Sequence, residues 1–184
     1  MPHPIHATSL LPRRHGFTLI ELLSVILLVG LLSATAIPAL GRLDRARDAA
    51  LLNECDRMIR FAQAHAGSTG LPTAARIDLD EQRVSIRSVG TTPGTTVPVN
   101  RVGTGQPIDL AVVASFPGAS LDSAGESGSL QSSGISEIWF DFNGSPQSRN
   151  ATGENPVDLT VEYLVRVGSG MELRVQPSTG VIAR

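Results

Sequence analysis

The chain has 184 residues, of which 15 are basic and 17 acidic, for a formal net charge of −2, with 41% hydrophobic and 17% charged residues. This near-balance excludes a whole-chain electrostatic grip on nucleic acid or on an anionic membrane surface. The single cysteine, Cys55, excludes a disulfide within one chain, and the length fits one ordinary domain with additional segments.

The first element is an apolar run. Phe17 to Leu40 comprises 24 residues and contains one charge, Glu21. As a helix it would extend about 36 Å, enough for a hydrocarbon layer of about 30 Å. Three readings fit such a segment: a plain membrane anchor, a secretory signal cut after Ala34-Thr35-Ala36, or a signal cut ahead of the apolar run. Glu21 separates them. A carboxylate in a membrane segment costs roughly 2.5–3.5 kcal/mol at the bilayer centre and less near an end. An anchor or an ordinary signal gains nothing in return. A cut between Gly16 and Phe17 creates an α-amine on Phe17, four residues before Glu21 and on the same helical face. The two charges can then neutralise each other, within one chain or between neighbouring chains.

The residues "GFTLIELL", Gly16 to Leu23, resemble the cleavage and methylation signature of type IV pilins and type II secretion pseudopilins, with Gly before the cut, Phe after it and Glu fifth in the mature chain. The resemblance implies that a prepilin peptidase removes Met1–Gly16 and methylates the Phe17 amine, and that Pro38 softens the helix. It also implies a bacterial inner-membrane location, with the leader inside and the C-terminal bulk in the periplasm. Arginine counting alone does not give that orientation, because Arg13 and Arg14 precede the run while Arg42, Arg45 and Arg47 follow it.

Beyond the run, Leu43, Ala46, Ala50, Leu51, Cys55, Met58, Ile59, Ala62 and Ala66 recur at spacings of three and four, which predicts an amphipathic continuation of the helix over residues 41–67. Gly67, Gly70 and Pro72 predict its end. After Leu71 the pattern turns to period two. Strands are predicted at Ala75–Leu79, Arg83–Val89, Thr96–Val102 and Ile108–Val113. Further strands are predicted through Ile138, Phe140 and Phe142, along one long segment from Val157 to Val167, and through Met171, Leu173 and Val175. Short strands broken by Gly and Pro, with no helix between them, predict antiparallel pairing. The expected fold class is α+β: a long N-terminal helix packed on an antiparallel β-sheet or β-sandwich head. The expected organisation is a leader over 1–16, a transmembrane and assembly helix over 17–40, its amphipathic half over 41–67, and a β-rich periplasmic head over 68–184. The Gly/Ser-rich stretch 116–134 lacks periodicity and is expected to be a mobile loop.

"IWFDFNGSPQSRN" with the closing "LRVQPSTGVIAR" resembles GspH/FimT-type minor pilins and pseudopilins. This resemblance implies a minor pseudopilin of a type II secretion system, built into a periplasmic pseudopilus that drives protein export. The alternative is a FimT-like minor pilin of a type IV pilus, acting in pilus assembly or DNA uptake. A secreted or membrane-anchored enzyme is the remaining reading. Implied partners are prepilin peptidase, other pilin or pseudopilin subunits, an inner-membrane assembly platform and exported proteins. Nucleic acid is not expected, because the residues from Ser68 onward hold 8 arginines against 12 acids, a charge of −4. No catalytic residue, cofactor or metal site is expected. His3, His6 and His15 fall in the leader, and His65 is expected to be a solvated or capping residue. "DFNGSP" at Asp141 to Pro146 departs from the calcium-loop pattern, with Pro146 at its sixth position and Thr152 at its twelfth, and is expected to be a turn.

Overall fold

The computed structural model describes residues 17–168 and 170–184, and the side chains of residues 35–40 lie outside that description. Helix α1 runs Leu19–Thr69, and the chain divides into two units at Leu40/Gly41.

In the first unit every described side chain from Phe17 to Ala34 is exposed. A helix apolar on all sides needs lipid or other helices around it. Its two serines fold their hydroxyls onto the preceding turn, Ser24 Oγ donating to Ile20 O (2.7 Å) and Ser33 Oγ to Val29 O (2.8 Å). Neither serine hydroxyl then requires water. Among the described residues, no helix is long and apolar enough to cross a membrane. Part of the expected span, 35–40, falls where side chains are not described.

In the second unit the same helix presents Leu51, Cys55, Met58, Ile59, Ala62 and Ala66 to the core. The buried stripe begins later than the sequence predicts, because Leu43 and Ala46 are exposed. The helix ends where Gly70, at φ +72, donates its N–H to Ala66 O at 2.9 Å, a left-handed closure that glycine adopts without strain.

The head contains β1 (Thr73–Asp78), β2 (Arg83–Val89), β3 (Thr96–Pro98), β4 (Asp109–Ala111), a short α2 (Val112–Ser115), β5 (Leu121–Glu126), β6 (Ile135–Phe140), β7 (Pro146–Ser148), β8 (Val157–Asp158), β9 (Tyr163–Val167), β10 (Met171–Val175) and β11 (Ile182–Ala183). One sheet has the order β3-β2-β1-β6-β7-β8, with β4 also on β2, and the other has the order β11-β10-β9-β5. Every pairing is antiparallel. Ala75, Ile77, Val84, Ile86, Ile138 and Phe140 from the first sheet share one core with Val165, Val167, Leu173 and Val175 from the second and with the helix stripe. The α+β expectation, a helix packed with antiparallel sheets, is therefore what the structure shows.

Several predicted elements differ. The long strand over Val157–Val167 is two strands in different sheets, because the chain leaves β8 and crosses to the second sheet before β9. Val157 and Val161 are exposed, whereas Tyr163, Val165 and Val167 are buried. The stretch expected as a mobile loop, 116–134, contains β5, paired along β9. Its small residues are what fit there: a Cβ on Gly125 would lie 2.9 Å from Ser129 O. Phe142 does not extend β6. The chain turns at Asp141, whose carboxylate accepts the N–H groups of Asn143 (2.9 Å) and Ser145 (2.8 Å), and Phe142 is exposed. The strands expected over 96–102 and 108–113 shorten to β3 and β4, with Val102 outside both.

Cys55 is fully buried on the helix stripe, and burial pushes its thiol up to about 12. A thiol that neither ionises nor meets solvent does not react. Iodoacetamide at about pH 8 is expected to leave the folded protein unlabelled and to label it once after denaturation.

Candidate functional site

The N-terminal edge of α1 carries the site. Phe17 and Thr18 precede the helix, which begins at Leu19. Thr18 O accepts the N–H of Leu22 at 3.2 Å, placing Thr18 at the N-cap. Thr18 Oγ1 accepts the N–H of Glu21 at 3.3 Å, and Glu21 Oε2 accepts both the N–H and the hydroxyl of Thr18, each at 2.9 Å. This is a reciprocal capping box, which satisfies N–H groups that a helix start otherwise leaves open. It also sets a negative charge against the positive end of the helix dipole.

The sequence reading gave Glu21 one role, partner of the Phe17 amine, and missed Thr18. The signal was present, since Thr-x-x-Glu ahead of an apolar run is the capping-box spacing. The box holds the carboxylate in the first turn, next to the backbone that cleavage would turn into an N-terminus. Phe17 is exposed. Gly16 and the rest of the expected leader lie outside the described residues. Pro38 has helical backbone, but its side chain is among those not described.

The remaining residues singled out in the sequence lie elsewhere. His65 Nδ1 is 3.1 Å from Thr73 Oγ1, and its ring stacks on Phe61 with centroids 5.8 Å apart. Partial burial lowers its pKa. At the C-terminal end, Arg184 reaches back to the helix. It contacts Asn53 and pairs with Asp56 at 2.5 Å, and Asp56 also holds Arg60 at 2.7 Å. Asp56 is the buried member, and both arginines are about half exposed. Asp56→Ala therefore leaves two arginines that can rehydrate. The expected loss is about 1–2 kcal/mol of stability, measurable as a lowered Tm.

Residues 11–37 match the model of the prokaryotic N-terminal methylation motif. No curated protein and no solved structure matches the chain. The motif indicates a type IV pilin-like or pseudopilin substrate of prepilin peptidase that assembles with other pilin-type subunits, with inner-membrane anchoring by the N-terminal helix.

Proposed function

We propose that the chain is a minor pseudopilin of a type II secretion system, with a structural and assembly role and no catalytic chemistry. The peptidase cuts between Gly16 and Phe17 and methylates the Phe17 amine. Residues 17–40 span the inner membrane, Pro38 softens the helix, and the head stands in the periplasm. There it meets other subunits, the assembly platform and exported proteins. The observation that carries this reading is the position of Glu21. A carboxylate fixed by Thr18 in the first turn of an otherwise apolar helix, four residues from the proposed new amine, is costly in lipid unless it is paired.

Secretion is preferred to a FimT-like minor pilin that takes up DNA because the head is acidic overall and its terminal arginine is already engaged. A head charge of −4, with Arg184 held by Asp56 and Asn53, supplies little to neutralise phosphates. Deleting the gene is expected to stop export of a type II-dependent exoprotein and to leave pili intact. Loss of pili or of DNA uptake with normal export would select the pilus reading instead.

A further inference from the structure

A polar cleft of about 370 Å³ opens where the start of β6 meets the end of β5 and the loop after β7. Its floor is a hydroxyl bridge between the two sheets, Ser136 Oγ to Tyr163 Oη at 2.7 Å, and both residues are buried. Burial raises the Tyr163 pKa, so this bridge stays neutral. The walls hold two guanidinium groups, Arg76 and Arg149, and two carboxylates, Glu126 and Glu137.

The two arginines differ in how they are satisfied. Arg149 is fixed: it donates to Gln147 Oε1 (2.9 Å) and Gly153 O (2.8 Å) and lies over the Trp139 ring, 6.0 Å from its centroid. Arg76 is about three-quarters buried, yet its nearest acidic neighbour among the described residues, Glu137, is 3.9 Å away. That distance is beyond hydrogen-bonding range. Glu137, the register partner of Arg76 across β1 and β6, faces Arg76 with Oε1 and accepts the indole N–H of Trp139 on Oε2 at 3.2 Å. Burial raises the Glu137 pKa, with Arg76 opposing the shift. Arg76 thus lines the cleft with its stem largely covered, held by Glu137 only through a long ion pair at 3.9 Å and free to form closer, paired hydrogen bonds with an incoming group.

We propose that this cleft binds a carboxylate carried on a polypeptide, either a chain terminus or an acidic side chain, with Arg76 as the principal donor and the pre-set Arg149 as the second. Paired N–H donors match the planar carboxylate. The two wall carboxylates make the cleft formally neutral, which disfavours a dianion such as phosphate and admits a singly charged group. The size suits a few residues of extended chain.

The test uses the full chain in detergent micelles and three short peptides: one with a free C-terminus and no acidic side chain, one amidated with a central Glu, and one amidated and neutral. Saturable binding of the first identifies a terminus as the source, and saturable binding of the second identifies a side chain. Either supports the proposal if Arg76→Gln weakens binding about tenfold or more with an unchanged melting curve. Arg149→Gln is expected to weaken binding similarly. If that variant loses its fold through the Trp139 contact, Arg76→Gln decides alone. Equal binding of the neutral peptide, indifference to Arg76→Gln, or no binding of any peptide overturns the proposal. None of these outcomes bears on processing at Phe17.

Discussion

Replacing Glu21 by Gln is expected to leave cleavage at Gly16–Phe17 intact and to reduce incorporation into filaments about a hundredfold or more. Two roles are assigned to this side chain: the helix cap seen in the structure and the proposed partner of the Phe17 ammonium. In the capping box, Glu21 accepts two hydrogen bonds from Thr18, and Gln fills the same position in such boxes. Glu21→Gln therefore keeps the helix start and removes only the charge. The Phe17 ammonium is then left unpaired in a low-dielectric setting, and breaking one side of a buried ion pair costs about 3–5 kcal/mol. Thr18→Ala makes the opposite change. It removes the cap, at about 0.5–2 kcal/mol of local helix stability, and leaves the carboxylate in place. Thr18→Ala is expected to assemble close to normally. Immunoblot mobility reads processing and sheared-filament yield reads assembly. Equal filament yield from Glu21→Gln and the native chain would refute the pairing role. Failure of Thr18→Ala with success of Glu21→Gln would reduce Glu21 to a helix cap.

The second large effect is expected in the head. Trp139→Ala should cost about 3–5 kcal/mol and lower Tm by about 6–20 °C in the detergent-solubilised full chain. Trp139 is fully buried although it belongs to the face of the first sheet opposite the helix. Its cover is the loop after β7. Gly153 sits at φ +79, where a Cβ would meet Trp139 Cη2 at 3.0 Å and Val89 Cγ2 at 3.1 Å. Arg149 closes the same loop through Gly153 O. Removing the indole empties this secondary core, leaves Glu137 Oε2 without its donor and takes away the ring beneath Arg149. A Tm shift below about 2 °C would show that the loop collapses to refill the space.

Much of this architecture is legible in the sequence because it rests on local periodicity. The stripe from Leu51 to Ala66 reads as a helix face, and β2, β6 and β10 read as alternation, because burial on one side imposes those periods. Where the sequence reading fails, the deciding contacts are non-local. Alternation from Val157 to Val167 correctly indicates extended backbone, but period two carries no information about which sheet each half joins. In β5, Ser123, Ala124 and Gly125 have no strand propensity of their own. They are in a strand because they pair along β9, and at Gly125 the approach of Ser129 O leaves no room for a side chain. The polar cleft escapes notice for the same reason, since Arg76 and Arg149 are neighbours of one cavity only through the order β1-β6-β7. Thr18 is a different case. Its spacing to Glu21, Thr-x-x-Glu ahead of an apolar run, is readable in the sequence as a capping box.

The mature N-terminus is the most direct test of the account. Intact-mass and N-terminal analysis of the protein recovered from cells is expected to show a chain beginning at Phe17 with a methylated amine. A chain that keeps residues 1–16, or one that starts at Ile37 after Ala34-Thr35-Ala36, would contradict it.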